Sequence, residues 1–174
     1  MKKLVFLMTT CLFPLFISAQ SIENNGINPF TGDSLYITSW SGIDVKSLFP
    51  YKGNSSYKFM LRKENKAVYF HLKLYNSNIN RIDKDSKLQF KMSDGSLITL
   101  IAIDNFTANT DVYTHLDNSY SRNIIHAVYI GDLSGMVKNN LVEKISVDTA
   151  WGALISEINE KNAKKVAKAS NLIM

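Results

Sequence analysis

The chain has 174 residues, of which 20 are Lys or Arg and 15 are Asp or Glu, so its formal net charge is +5. This charge is too small to favour nucleic acid as a partner, and loss of Lys2 and Lys3 with a cleaved leader would lower it to +3. The length fits one domain with a core of its own.

The first 19 residues have the layout of a secretory signal peptide. Two lysines precede an apolar run from Leu4 to Ile17, and small residues come before Gln20. The run is shorter than the roughly 20 apolar residues that span a membrane. We therefore expect cleavage after Ala19, no transmembrane segment, and export to the periplasm or the extracellular space. Lipidation at Cys11 is the less favoured alternative, because the apolar run continues past it. Cleavage would remove the single cysteine, which excludes disulfides and cysteine catalysis.

Residues 20–174 are predicted to form a single β-rich domain. Its first residues, 20–31, are rich in Asn and include Pro29, which predicts a loose lead-in.

Gly32-Asp33-Ser34-Leu35 follows, the four letters after which the GDSL serine hydrolases are named. In that family the motif follows a buried strand, opens a helix and works with a D-x-x-H element. Here it leads into the β-forming "YITSW", and no histidine has an aspartate three residues before it. We interpret Gly32-Asp33 as a turn that begins a strand.

Two hairpins are predicted from alternating apolar residues. In "YKFMLRKENKAVYFHL" a turn at Glu64-Asn65 pairs Leu61 with Val68 and places Tyr57, Phe59, Phe70 and Leu72 on the same face. In "KLQFKMSDGSLITLIAI" the turn is Asp94-Gly95, which pairs Met92 with Leu97. The strand after this second turn is apolar on both faces and should be central in its sheet.

The later chain changes from strand to helix. The segments "NIIHAVYIGD" and "LVEKISVD" predict strands, the second with Val142, Ile145 and Val147 facing inward, and "LSGMVKNN" predicts a turn or a short helix. From about residue 149 to 171 apolar residues recur at helical spacing, so we expect a helix that includes Trp151 and Ile155 and is capped by Asp148 or Thr149. The predicted fold class is mainly β: an antiparallel β-sandwich, or a compact barrel, of about six to eight strands with one C-terminal α-helix packed on it.

The chain contains no recognisable phosphate-binding loop or metal-ligand spacing, so no cofactor and no metal are expected. His126 lies among apolar residues and predicts a buried core histidine. The face of the first hairpin that lies opposite its core combines cations with aromatic rings, and Trp40 and Tyr36 could extend it. The predicted ligand-binding residues on this face are Lys58, Arg62, Tyr69, His71 and Tyr75, accompanied by Met60 and Lys73.

These patterns favour an exported, non-catalytic binding or structural domain of the bacterial cell envelope, with a glycan or an envelope protein as its partner. One alternative is a small exported hydrolase that uses Ser34 or dispersed carboxylates. Another is an accessory or inhibitor protein for an exported partner. Asp33-Ser34-Leu35 and Asp148-Thr149-Ala150 also resemble the short acceptor of O-glycosylation in some exported bacterial proteins, but a turn at the first and a helix cap at the second are the favoured interpretations.

Overall fold

The computed structural model describes residues 20–43, 45–47, 56–76, 78–115, 118–137 and 140–174, and of residues 45–47, 111–115 and 118–122 only the backbone. The predicted signal peptide and Cys11 lie outside the described residues. Among the described residues, no helix combines the length and the apolar content that crossing a membrane requires.

The fold is mainly β, with an antiparallel sheet and a C-terminal helix, which confirms the predicted class. The described residues form fourteen strands, more than the predicted six to eight, because several strands of two or three residues are too short to produce a recognisable alternation. The strands are β1 (Ile22–Ile27), β2 (Ser34–Thr38), β3 (Ser41–Ile43), β4 (Val45–Ser47), β5 (Ser56–Glu64), β6 (Ala67–Asn76), β7 (Arg81–Ile82), β8 (Lys87–Met92), β9 (Leu97–Ala102), β10 (Phe106–Thr107), β11 (Asn109–His115), β12 (Asn118–Ile130), β13 (Val142–Thr149) and β14 (Gly152–Ile158).

Twelve of these strands form one sheet with the order β1-β2-β5-β6-β12-β9-β8-β13-β14-β4, while β3 pairs with β5 and β11 with β12. Strands β7 and β10 form a separate pair. The large sheet is not closed, so the barrel alternative is wrong. A 3-10 helix at Ser134–Met136 occupies the segment predicted as a turn or short helix.

The large sheet bends between β12 and β9, and both layers of the molecule come from this one sheet. These two strands share only two residue pairs, Tyr129 with Ala102 and Ile130 with Ile101. Beyond the bend, Phe90 of β8 packs on Phe70 of β6 with ring centroids 5.3 Å apart. The layers thus enclose an apolar core, as in the predicted sandwich.

Strands β2, β3 and β4 contact both layers. Strand β2 pairs Ile37 with Arg62 of β5, and β3 pairs Ser41 with Phe59 of the same strand. Ile37 and Ser41 are four residues apart, whereas their partners on β5 are three residues apart. The extra residue forms a bulge beside Trp40. Strand β4 pairs with β14 in the other layer.

Both predicted hairpins form, with registers that differ from the prediction. In the first, the turn is Asn65-Lys66, so Leu61 pairs with Phe70; this shift of two residues preserves the predicted faces. In the second, Lys91 pairs with Leu97, because the loop contains three residues and ends with Gly95 at φ 85°. That shift of one residue turns Leu97 out to solvent.

The predicted loose lead-in is wrong, because residues 22–27 form strand β1 along β2. All six residues of β1 are exposed, so the strand has no buried face and no apolar alternation that would identify it. Asn25 and Gly26 pair with Tyr36 and Leu35 of β2.

The C-terminal helix α1 spans Glu160–Ile173, so the predicted start near residue 149 is wrong. The preceding segment is β14, in which Leu154, Ser156 and Ile158 alternate inward, and Trp151 lies exposed in the β13–β14 turn. Asn159 caps the helix by accepting a hydrogen bond from the Asn162 backbone at 2.9 Å.

Helix α1 packs against the layers through small and apolar side chains, which include Ala163, Val166 and Ala169. Two hydrogen bonds donated by lysine side chains connect the helix to the rest of the fold. Lys63 Nζ donates to the Ile173 carbonyl at 2.8 Å, and Lys165 Nζ donates to the Gly42 carbonyl at 3.0 Å. The helix is therefore held against β3 and β5.

Candidate functional site

Outward side chains of β5 and β6, together with His126 of β12 and with Trp40, form one surface that we call the outer face. Cross-strand pairs align it in rows, in which Lys58 is opposite Lys73, and Lys73 in turn is opposite His126. The outer face consists of Trp40, Lys58, Met60, Arg62, Tyr69, His71, Lys73, Tyr75 and His126. All five residues predicted to bind a ligand lie on it, whereas Tyr36 is paired with Lys63 and faces the other way.

Two lysines of the outer face lie over aromatic rings. Lys73 Nζ is 4.2 Å from the centroid of the Trp40 ring, and Lys58 Nζ is 5.8 Å from that of Tyr75. Both distances fall within the range of cation–π attraction, worth about 0.5–1 kcal/mol at an exposed site. Trp40 also contacts the His126 ring edge-on, with centroids 5.3 Å apart. These contacts hold cations and aromatic rings side by side.

His71 and His126 form a hydrogen bond in the middle of the outer face, with 3.2 Å between His71 Nδ1 and His126 Nε2. Burial, the nearby His126 and the nearby Arg62 lower the pKa of His71 to about 4. Burial and the charge of Lys73 also lower the pKa of His126. Both rings are therefore neutral at pH 7.

The interpretation of His126 as a core histidine is wrong, because its side chain is exposed. The buried residues of this part of β12 are Ile125, Ala127 and Tyr129, whereas His126 shares the outward face with Val128. Since β12 is apolar on both faces, its sequence does not indicate which face is buried.

Arg62 marks the end of the outer face that is nearest the hairpin turn. Its Nη2 lies 2.9 Å from Glu64 Oε2, and Glu64 Oε1 accepts a hydrogen bond from Asn28 Nδ2 at 2.6 Å. Arg62 Nε and His71 Nε2 are buried and have no hydrogen-bond partner among the described residues. Such buried polar atoms leave unused hydrogen-bonding capacity in this part of the face.

An open groove of about 910 Å³ begins beside Glu64 and Tyr69. Ser34, the first residue of β2, lies in this groove and not at the start of a helix. The lining contains acidic, hydroxyl, amide and ammonium groups, and no histidine is among its residues. The lining residues are Thr31, Asp33, Ser34, Glu64, Asn65, Lys66, Ala67 and Tyr69.

The two possible glycosylation sites differ in their surroundings. Ser34 is exposed, whereas the Thr149 hydroxyl donates a hydrogen bond to the Gly152 carbonyl at 2.7 Å in the β13–β14 turn. Thr149 therefore stabilises a turn instead of capping a helix. The side chain of His115, the third histidine, lies outside the described residues.

Sequence reasoning missed two contributions to the outer face. It left the direction of Trp40 open, and the bulge in front of β3 determines it. It also did not pair His126 with His71, because that contact depends on which strands are neighbours. No group of three or more His, Cys, Asp or Glu side chains suited to a metal ion occurs within the described part of the chain.

No protein-family model matches the sequence, and comparisons with curated proteins and with solved structures find no significant match. A function for this chain must therefore be argued from its own side chains.

Proposed function

We propose that the protein is an exported, non-catalytic binding domain of the bacterial cell envelope and that it recognises an anionic saccharide. The observation that carries this proposal is the convergence of three cations, Lys58, Arg62 and Lys73, with the rings of Trp40 and Tyr75 on one sheet face. Aromatic planes suit the apolar faces of sugar rings, and cations suit carboxylate or phosphate substituents.

The rigidity of the outer face supports a binding role. Its residues lie on paired strands, except for Trp40, which follows β2 and contacts both Lys73 and His126. A surface that is ordered before binding loses little conformational entropy when the ligand arrives. The groove beside Tyr69 extends the surface with hydroxyl and amide groups that can bond sugar hydroxyls.

The charge of the outer face favours an anionic ligand over a neutral one. The face as defined above contains no acidic residue, and the neighbouring Glu64 is ion-paired with Arg62. An incoming carboxylate would compete with Glu64 for Arg62 and would approach Lys58 and Lys73 directly. Export is inferred from residues 1–19, and a mature chain from the native host that begins at Gln20 would support it.

The proposal is tested by measuring the affinity for oligogalacturonate and for a neutral maltooligosaccharide of the same length. We expect the acidic sugar to bind more tightly, and Arg62→Gln or Lys73→Gln to weaken that binding about tenfold, the effect of losing one charge-assisted hydrogen bond. Lys91→Gln, an exposed lysine on β8 in the other layer, is the matched control and should bind as the parent does.

Equal affinities of all four proteins, or no binding of either sugar, would contradict the saccharide proposal. Co-purification of a stoichiometric protein from the envelope fraction would instead favour the accessory or inhibitor function. A hydrolytic activity that Ser34→Ala abolishes would favour the hydrolase alternative.

A further inference from the structure

The fold brings together two histidines that are separated by 55 positions in the chain, one on β6 and one on the adjacent strand β12. We propose that His71 Nδ1 and His126 Nε2 bind a late first-row divalent transition-metal ion, with Cu²⁺ and Zn²⁺ as the ions that imidazole ligands suit best. This site lies on the same outer face, and it uses the two histidine rings, whereas the saccharide proposal rests on the lysines, Arg62 and the rings of Trp40 and Tyr75.

The spacing of the two nitrogen atoms fits a shared ion. Two metal–nitrogen bonds of about 2.0–2.1 Å that meet at a tetrahedral angle place the nitrogens about 3.3 Å apart. The observed separation is 3.2 Å, so an ion can enter by rotation of the rings without movement of the strands. The strands themselves are fixed by the ladder that pairs His71 with Val128 and Lys73 with His126.

The proton of the histidine hydrogen bond need not leave the protein when the ion binds. Each neutral imidazole carries one hydrogen, and one of the facing nitrogens holds the hydrogen of the bond. Transfer of that hydrogen to the other nitrogen of the same ring frees the second lone pair. The hydrogen bond is thereby exchanged for two metal–nitrogen bonds with no net loss of a proton.

The residues around the two histidines determine the expected affinity and selectivity for metal ions. His126 is exposed and gives the ion a path from solvent, and the remaining coordination positions would be filled by water. Met60 is the cross-strand partner of His71 and places a thioether on the same face. Lys73 and Arg62 place positive charge beside the pair, so we expect micromolar affinity.

Trp40 is a built-in reporter of this site, because its ring lies 5.3 Å from that of His126. The chain has two tryptophans, and Trp151→Phe removes the other one. Titration of this variant with Cu²⁺ should quench the Trp40 fluorescence in a saturable way, with one ion per chain. Zn²⁺ should compete with Cu²⁺ while quenching little itself, and Mg²⁺ should do neither.

The ligand assignment is tested in the same background. His71→Gln and His126→Gln should each weaken Cu²⁺ binding about tenfold or more. His115→Gln is the matched control and should bind as the parent does, and circular dichroism verifies that each variant is folded. Quenching that does not saturate, that survives both substitutions, or that depends on His115 would overturn the proposal. Saccharide binding is measured with EDTA present, so failure of either proposal is distinguishable from failure of the other.

Discussion

Two buried tyrosines should respond in opposite directions to the loss of their hydroxyl groups. Tyr129 on β12 is fully buried, and its hydroxyl has no hydrogen-bond partner among the described residues. Tyr57 on β5 is equally buried, but its hydroxyl shares a 3.3 Å hydrogen bond with the Ser156 hydroxyl of β14. The two residues thus form an internal comparison at matched burial.

The expected magnitude follows from the cost of burying a hydroxyl. Without a partner, that cost is about 1–3 kcal/mol. Tyr129→Phe removes it and loses only the dispersion contacts of one oxygen atom, a few tenths of a kcal/mol. We expect Tyr129→Phe to stabilise the protein by about 1 kcal/mol, which for a chain of this size raises Tm by about 2–4 °C.

Tyr57→Phe should instead destabilise the protein by about 1–2 kcal/mol, because it leaves the Ser156 hydroxyl buried without this partner. Urea unfolding followed by circular dichroism measures both changes, and an unaltered slope against urea shows that the unfolded reference is unchanged. If Tyr129→Phe lowers the free energy of unfolding by 1 kcal/mol or so, the Tyr129 hydroxyl has a partner such as a buried water molecule, and the reasoning fails.

Four further substitutions, one of them a control, test packing, capping and protonation by the same urea assay. Gly131→Ala should destabilise the fold by about 2 kcal/mol, because its Cβ would lie 2.7 Å from the Leu100 side chain and 3.0 Å from a backbone oxygen of β9. Gly42→Ala, with nothing within 4 Å of the new Cβ, is its control, and equal losses at both sites would contradict the packing argument. Asn159→Ala should cost about 1 kcal/mol through loss of the helix cap, and no change would exclude that role. In EDTA, stability should fall by roughly 1 kcal/mol as the pH drops from 6.5 towards 4. The reason is that burial and the neighbouring charges lower the pKa of folded His71 to about 4, so the unfolded chain takes up its proton first. His71→Gln should reduce this pH dependence, and an unchanged profile would refute the assignment.

The sequence predicted the faces of the strands better than their partners. Alternation places Phe59 and Phe70 in the core whether the register is the predicted or the observed one, because a shift of two residues keeps every side chain on its face. The register of the second hairpin was less predictable. A two-residue loop and a three-residue loop that both end at Gly95 give registers that differ by one residue, which reverses the faces of one strand. Strand order depends on contacts between distant segments, which no local pattern encodes.

The same limit applies to the outer face. Its five predicted residues lie together because they belong to one hairpin, whose alternation is local. The contact between His71 and His126 requires β12 to lie beside β6, and the position of Trp40 requires the bulge before β3. The start of the C-terminal helix was predicted too early because the apolar residues in "ALISEI" fit helical spacing as well as strand alternation. The Asn159 cap marks where the helix begins.

The lysine contacts of α1 constrain the time course of folding. Lys63 and Ile173 are separated by 110 positions and Gly42 and Lys165 by 123, so neither contact can form until almost the whole described chain is available. Folds dominated by such distant contacts form slowly, in milliseconds to seconds. Docking of the helix is therefore expected to be a late step of folding, which follows the pairing of β3 and β5.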